Sequence, residues 1–398
     1  MDIERFRKST VGNLVPITGV DGRTGERYTH YGFAPHPLAA TPSLSVDTWN
    51  ALTRASHALG RLEQGSQLVP NPAILRRPTL RREAQSTSAL EGTFAPLDEV
   101  LAADIIDDAN RSSALSEVLN FVDAAERAFD WVSESRPITT GLMCELHGTL
   151  VDGTAADTDE AGRIRQIQVA VGSRNGSVYD ARFVPMPNGP ALDAGFNDLL
   201  TWIRPENHIG TSPIVAAAMA HYQFETLHPF NDGNGRLGRL LIVVQLVIDG
   251  VLSEGLLSVS PWFEQRREEY QDLLAGVSAE GDWDRWIRFF ADGIEASAID
   301  TALRIRALLD AQLSYQDLVR DSGAKGVIRD IVDTLIGTPY VTIRSLANTT
   351  GKTYQAVSTA VGKLVELGIL QEIPSPGAKV FRATDIVRIT TSRQAPGA

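Results

Sequence analysis

Apolar positions recur at three- and four-residue intervals along most of the chain, the spacing of helices that bury one face. Leu115, Val118, Leu119, Val122 and Ala125 mark one such helix, and Ile214, Ala217, Ala218, His221 and Phe224 mark a second. From Leu237 to Ile248 the residues are apolar almost all round, which predicts a helix at the centre of a bundle. The run Ile242-Val243-Val244 would also suit a strand, but the Gly-Asn-Gly-Arg entry favours a helix N-terminus. Trp283, Trp286, Phe289 and Phe290 form a heavy aromatic stripe that reads as core. Strand-like alternation is clearest in Ile164–Val171 and Ala181–Val184, on either side of a Gly-rich turn, and predicts a single β-hairpin. Asp152–Glu160 and Gly172–Gly176 read as loops. The expected fold is mainly α-helical with one small β element.

Near the C-terminus the pattern changes to helix, helix, helix, ribbon. Thr342 to Ala347 resembles the first helix of a helix-turn-helix, Gly351 turns the chain, and Val357, Ala360, Val361, Leu364 and Leu367 repeat at helical spacing until Gly368 stops them. Ile369–Ile373 and Lys379–Arg382 would form a wing, so the segment looks like a winged helix. Charge marks the same boundary. The chain of 398 residues carries a net charge of -12, yet from Gly323 onward nine Lys plus Arg stand against five Asp plus Glu, leaving -16 on the rest. Four of the five lysines follow residue 322. The overall acidity excludes non-specific nucleic-acid binding by the whole chain, while the C-terminal module permits DNA contact through Lys352, Thr353, Tyr354 and Gln355. Winged helices also dock proteins. At about 150 residues per domain the length suits two or three domains, and a hydrophobic fraction of 43% can fill their cores. The lone Cys144 excludes an internal disulfide framework and a multi-Cys zinc site. The opening MDIERFRKST offers no apolar leader, and no apolar run is long enough to span a membrane, so a cytoplasmic protein is expected.

The chemistry concentrates in His228-Pro229-Phe230-Asn231-Asp232-Gly233-Asn234-Gly235-Arg236-Leu237-Gly238-Arg239. Gly233 and Gly235 let the backbone approach a ligand at a helix start, where unpaired N–H groups suit phosphate. Arg236 and Arg239, three apart, share one face of the first helical turn and suit a polyphosphate. Asp232 offers a hard oxygen for Mg²⁺, and His228 a group that takes a proton near neutral pH. An anion cradle, a metal ligand and a base within twelve residues describe phosphoryl or nucleotidyl transfer. Gly233-x-Gly235-x-x-Gly238 also matches the dinucleotide-binding pattern, but that motif follows a strand, and a helix precedes it here. Gly351-Lys352-Thr353 resembles the end of a P-loop, yet Leu346 stands where the upstream Gly is required. His221 reads as a core histidine, and His147 is ambiguous.

The twelve-residue segment resembles the signature HPFx[D/E]GNGRxxR of the Fic (Fic/Doc) family and agrees at every specified position. Glu117–Asn120, Leu146-His147, Gly162–Arg165, Phe183–Pro185 and Arg288–Phe290 look like further landmarks, so the resemblance covers roughly residues 80 to 295. Kinase-like relatives carry Lys in place of the second Gly of GNG, whereas Gly235 is what adenylyl-transferring members have. The resemblance implies a Fic-type helical bundle with a β-hairpin flap, and transfer of AMP from ATP to a Tyr, Thr or Ser hydroxyl of a target protein. His228 would be the base. Asp232 would hold Mg²⁺ between the α- and β-phosphates. Gly233, Asn234 and Gly235 would form the anion hole, with Gly238 in the same ATP-binding segment, and Arg236 and Arg239 would bind the outer phosphates. Ile167, Gln168 and Val169 would be the flap that docks the target by strand addition, and Tyr270 would lie beside the adenine.

Ser86 to Gly92 fits the inhibitory motif [S/T]xxxE[G/N] of the same family, with Thr87, Glu91 and Gly92 in the defining places. The plain alternative is a capping sequence at a helix start. In the inhibitory reading, a carboxylate reaching Arg239 competes with the γ-phosphate and leaves ATP in an unproductive pose. Glu91 would also position water for AMP removal, as in some relatives. The expected organisation is an N-terminal region with the inhibitory helix (1–110), a Fic core with following helices (111–322), a winged-helix-like domain (323–390) and a flexible tail (391–398). Expected partners are ATP, an unidentified target protein, the chain itself as a modification substrate, a second copy in a homodimer, and DNA at residues 323–390. The competing reading is a DNA-binding regulator whose Fic core is a nucleotide sensor or scaffold.

Overall fold

The computed structural model describes residues 1–20, 25–67, 72–106, 110–173, 177–375, 378–393 and 395. In chain order the elements are α1 (Ile3–Phe6), β1 (Gly12–Val20), β2 (Arg27–Pro35), α2 (Val46–Gln67), α3 (Ala73–Glu91), α4 (Leu97–Ala102), α5 (Ser113–Ser133), α6 (Thr140–Val151), α7 (Pro190–Trp202), α8 (Pro213–Leu227) and α9 (Asn234–Ile248). They continue as α10 (Ser260–Glu264), α11 (Arg267–Glu280), α12 (Trp283–Asp321), α13 (Val327–Thr334), β3 (Tyr340–Thr342), α14 (Ile343–Thr350), α15 (Tyr354–Glu366), β4 (Leu370–Ile373), β5 (Val380–Ala383) and α16 (Thr384–Thr391). The mainly helical expectation holds. Among the described residues, no helix is long and apolar enough to cross a membrane. The chain divides into two compact units, each described here by itself.

The first unit comprises Met1–Leu59, Asp123–Gly255 and Trp262–Ala296. At its centre lie α8 and α9. Helix α8 begins with a proline in its first turn, where no N–H is needed, and all its residues but Pro213 and Glu225 are buried. Helix α9 is buried from Arg236 to Leu246, as its unbroken apolar run requires. The aromatic stripe is core: Trp286 and Phe290 are fully buried, and the Trp286 indole donates to Ala218 O at 3.0 Å.

Sheet formation differs from the sequence expectation. The regular hairpin of this unit is β1–β2, antiparallel from Gly12 opposite Pro35 to Val20 opposite Arg27. It buries Ile17 and Phe33 in a cluster with Phe6, Val178, Val184 and Ala279. Between Ile164–Val171 and Ala181–Val184 the ladder contracts to one antiparallel bridge, Val171 with Phe183. The carbonyls that would extend it are taken. Ile167 O accepts from Arg165, Pro185 O accepts from Gln168, and Val184 O accepts from the N–H of Phe33. Strand β2 can lie this close because residue 32 is glycine; a Cβ there would sit 2.8 Å from Pro185 O. Residues 174–176, part of the expected Gly-rich turn, lie outside the described residues.

The second unit comprises Gly60–Val122, Leu256–Pro261 and Ser297–Ala398. Its C-terminal part runs α13–β3–α14–α15–β4–β5–α16, with three antiparallel strands in the order β3-β5-β4. Thr342 and Ser345 form a reciprocal cap at the start of α14, and Gly351 ends that helix in the left-handed conformation. These elements share one core with the segment after α3: Leu101, Tyr340, Val380 and Val387 form a cluster against Leu97 and Ile105. Polar clamps reinforce it. Buried Arg81 donates to Leu101 O and Asp104, and Arg82 donates to Thr390 O and Ser392 O, both at 3.3 Å. Arg304 holds Ile389 O and Ser392 O at 2.5 and 2.8 Å. Of the segment expected to be a flexible tail, residues 394 and 396–398 lie outside the described residues; Ala395 is buried, its N–H bonded to Asp300 at 3.0 Å.

Candidate active site

Helix α8 ends where its next residue, His228, turns left-handed at φ 51° and ψ 62° while its N–H still bonds Phe224 O at 2.9 Å. That conformation costs a residue with a Cβ about 1 kcal/mol or more and persists only under constraint. The constraint comes from Arg165. Its Nε donates to His228 O at 2.7 Å, and its backbone N–H bonds Pro229 O at 2.9 Å. Its terminal nitrogens hold Ile167 O at 2.9 Å, Leu227 O at 3.4 Å and Met186 O. Arg165 is 0% exposed, and burial lowers its pKa to about 10, so it remains a cation at neutral pH surrounded by carbonyls. The His228 ring lies with Nδ1 3.2 Å from Glu225 O. A carbonyl can only accept, so Nδ1 carries a proton, which makes Nε2 the ring nitrogen that can take one up.

Three further contacts fix the turn after His228. Phe230 stacks on His147 at 4.2 Å and 6°. The Asn234 side chain brackets the backbone of Phe230, accepting its N–H at 2.9 Å and donating to its carbonyl at 2.8 Å. His147 accepts the Gly162 N–H on Nδ1 at 2.9 Å, which places its own proton on Nε2 for donation to Asp232 O at 3.1 Å. Burial holds His147 neutral, with its pKa lowered to about 4.

Gly233 precedes α9 with φ 73°, and a Cβ there would lie 2.9 Å from Leu150, so conformation and space both require glycine. The first amides of α9 open its N-terminus, the positive end of the helix dipole. Asp232 is largely exposed; one of its oxygens accepts the Gly233 N–H at 2.5 Å and lies 3.5 Å from Arg236. Arg236 and Arg239 are each only 2% exposed in the first turn and a half of α9. Among the described residues, no group of three His, Cys, Asp or Glu is arranged to hold a metal. One carboxylate fits Mg²⁺ held chiefly by substrate phosphates, the usual mode for that ion.

The structure brings His228, Asp232, Gly233, Asn234, Gly235, Arg236 and Arg239 together around the turn between α8 and α9. Gly238 is there for packing: a Cβ would meet Glu225 Oε1 at 2.4 Å and the Phe224 ring at 3.1 Å. It lets α9 approach α8. Tyr270 is buried in an aromatic cluster with Phe263 and Trp286, and its hydroxyl lies 2.6 Å from Nε2 of His221, whose Nδ1 bonds Gly238 O at 2.9 Å. His221 is a core histidine, neutral with its pKa lowered by burial to about 3. In the flap segment, Ile167 is 60% exposed, while the Gln168 amide donates to Val169 O and Pro185 O, both at 3.1 Å.

Thr87, Glu91 and Gly92 belong to the second unit. Thr87 is fully buried, and Glu91 is exposed at the last position of α3. Gly92 ends the helix at φ 98°, its N–H directed at Ala89 O and Ser88 O. A motif at the C-terminal end of α3 is not a capping sequence at a helix start. The sequence alone assigns no role to Arg165 or His147, although both lie in segments that resemble family landmarks. The legible signal for Arg165 was a cation inside an alternating apolar stretch.

Comparison with known proteins bears on this geometry. A profile described as Fic/DOC family N-terminal matches residues 49–130, and one described as Fic/DOC family matches residues 137–246. The chain is 30% identical over 243 residues to "Protein adenylyltransferase fic-1" of Caenorhabditis elegans, covering 60% of this chain and 42% of that protein. It is 30% identical over 213 residues to "Protein adenylyltransferase Fic" of Aedes aegypti, covering 53% and 38%. The chain thus spans about two fifths of the length of these curated relatives. Among solved structures, a Fic family protein from Desulfovibrio desulfuricans G20 shares the fold with a TM-score of 0.54 at 22% identity, covering 87% of this chain and 98% of that one. With the signature segment intact at the head of α9 and both profiles matched in sequence order, residues 49–130 and 137–246 of the chain are Fic/DOC family domains.

Proposed function

We propose that the protein is a protein adenylyltransferase that moves AMP from ATP to the hydroxyl of a Tyr, Thr or Ser on a target protein. The observation that carries the reading is the fixed tautomer of His228, set one turn before a glycine-opened helix whose start holds two buried arginines. The relatives named as protein adenylyltransferases support it at the level of the family. In the reaction, the hydroxyl oxygen attacks the α-phosphorus and its proton passes to Nε2 of His228. The new phosphoester forms as the bond to the bridging oxygen breaks, and pyrophosphate leaves. Arg236 and Arg239 take the β- and γ-phosphates, and the Gly233–Gly235 backbone takes the charge that develops at the α-phosphate. Asp232 would hold Mg²⁺, which when bound neutralises charge across the α- and β-phosphates. Arg165 and His147 position the turn without touching substrate. Ile167, Gln168 and Val169 receive the target segment.

Glu91 acts as a brake, through competition of its carboxylate with the γ-phosphate for Arg239. The full agreement of Thr87, Glu91 and Gly92 with the inhibitory motif supports this. Incubation with α-labelled ATP tests both statements. Glu91→Gly raises labelling of target and of the chain itself, and His228→Ala abolishes it while ATP still binds. Labelling that persists in His228→Ala removes the assigned base, and labelling unchanged in Glu91→Gly removes the brake. ATP binding without labelled product from any variant would favour a nucleotide sensor. Glu91 also positions water for AMP removal; equal AMP release from modified target by wild type and Glu91→Gly would exclude that role.

A further inference from the structure

The transferase reading leaves the C-terminal module without work. Helices α14 and α15 are separated by three residues, Gly351-Lys352-Thr353, the short glycine-containing turn of a helix-turn-helix. Val357, Ala360, Val361 and Leu364 bury one side of α15, and the other side presents Tyr354, Gln355 and Thr359. The other face of the module is already occupied: Tyr340, Val380 and Val387 pack on Leu101. The outward side of α15 is therefore the surface left to a partner.

Its chemistry selects the partner. Between Asp333 and Glu366 the sequence holds Arg344, Lys352 and Lys363 and no acidic residue, in a chain of net charge -12. Arg344 and Lys352 are exposed, and Lys379 on the wing is 66% exposed even while paired with Glu372. Apart from Tyr354 and Val365, the outward side bears hydroxyl, amide and small residues, with Glu366 paired to Lys363 at 2.9 Å, not the row of apolar anchors a protein groove requires. A helix of 13 residues with such a surface fits the major groove of B-form DNA, whereas the A-form major groove is too narrow to admit it.

We propose that the module binds duplex DNA, with α15 in the major groove reading bases through Tyr354, Gln355 and Thr359, and with Arg344, Lys352 and Lys379 on phosphates. This proposal stands apart from the transferase reading. The test is fluorescence anisotropy of the full chain with a labelled duplex of roughly 30 base pairs, about three helical turns. Three phosphate contacts give a log–log salt slope of about -2.7, hence roughly 40-fold weaker binding at 200 than at 50 mM salt. The double variant Arg344→Ala/Lys352→Ala is expected to flatten the slope to about -1, so that the same change weakens binding only about 4-fold. An unchanged melting temperature certifies its fold. Gln355→Ala should alter the sequences enriched from a random duplex pool and leave the salt slope alone. Absence of binding at 50 mM salt, an unchanged slope in the double variant, a pool with no enriched sequence, or equal competition by an RNA duplex would each overturn the proposal.

Discussion

Replacing Arg165 by alanine removes a side chain that touches both the turn at His228 and the segment at Ile167. Its guanidinium holds the carbonyls of His228, Ile167, Met186 and Leu227. A bond from a charged donor contributes roughly 1.5 kcal/mol or more net, and a buried acceptor left unpaired costs about 1–3 kcal/mol. Because the site can relax and admit water, the sum over four acceptors overstates the loss, and a destabilisation of about 3–5 kcal/mol is the scale reached when a buried charge is deleted. For a unit of this size that corresponds to a fall in Tm on the order of 10 °C. The left-handed His228 loses its restraint at the same time, so kcat for AMP transfer should fall about 100-fold, the penalty of a misplacement near 1 Å. The KM for ATP should move little, since Arg236 and Arg239 stay in place. Arg165→Lys keeps the charge without the planar fork and should recover part of the stability and less of the rate. Calorimetry gives the first number and α-labelled ATP at saturating substrate the second. Arg165→Ala melting within a degree or so of wild type and retaining kcat within about twofold would refute the positioning role.

Further consequences concern neighbouring groups. His147 and His221 are held neutral with pKa values lowered to about 4 and about 3, against roughly 6.5 unfolded. The unfolded chain therefore binds protons that the folded chain refuses, and stability is lost as pH falls below 6.5 toward 4, at about 1.4 kcal/mol per pH unit for each histidine. Urea titrations across that range should show the slope, and His147→Gln should roughly halve it. Tyr270→Phe leaves the buried Nε2 of His221 without its 2.6 Å donor and should cost about 1–3 kcal/mol by chemical denaturation, with the KM for ATP nearly unchanged. Gly238→Ala forces a methyl against Phe224 and Glu225 and should destabilise by about 1–3 kcal/mol, read as an earlier urea midpoint. Arg82→Ala frees α3 from the carbonyls of Thr390 and Ser392 and should raise labelling toward the Glu91→Gly level, measured with α-labelled ATP.

Periodicity exposed what periodicity can carry. Helices α5, α8, α9 and α15 were legible because their apolar residues repeat at helical spacing and are buried as the spacing requires. The hairpin β1–β2 was not. Pro16 and Gly19 weaken β1 as a strand signal, and the burial of Phe33 depends on Val178, Val184 and Ala279, far away in sequence. The predicted hairpin at 164–184 shrank to one bridge because side chains and β2 captured its carbonyls, which no alternation of residue types reveals. Within the site, the residue types and spacing from His228 to Arg239 were readable as a phosphate-handling segment. The supports were not, because Arg165 and His147 act through backbone atoms, and a backbone acceptor leaves no mark on the sequence. Gly238 shows the converse: a glycine in a phosphate-binding segment that is there for helix packing.

In the proposed reaction His228 drives transfer of AMP to a protein hydroxyl under restraint by Glu91. Its most direct test is mass spectrometry of a protein extract incubated with ATP, Mg²⁺ and either Glu91→Gly, wild type or the double variant Glu91→Gly/His228→Ala. The expected result is Tyr, Thr or Ser side chains bearing one adenosine monophosphate, abundant with Glu91→Gly, sparse with wild type and absent with the double variant. Modification by a bare phosphate, or adenylylated residues that persist in the double variant, would contradict it.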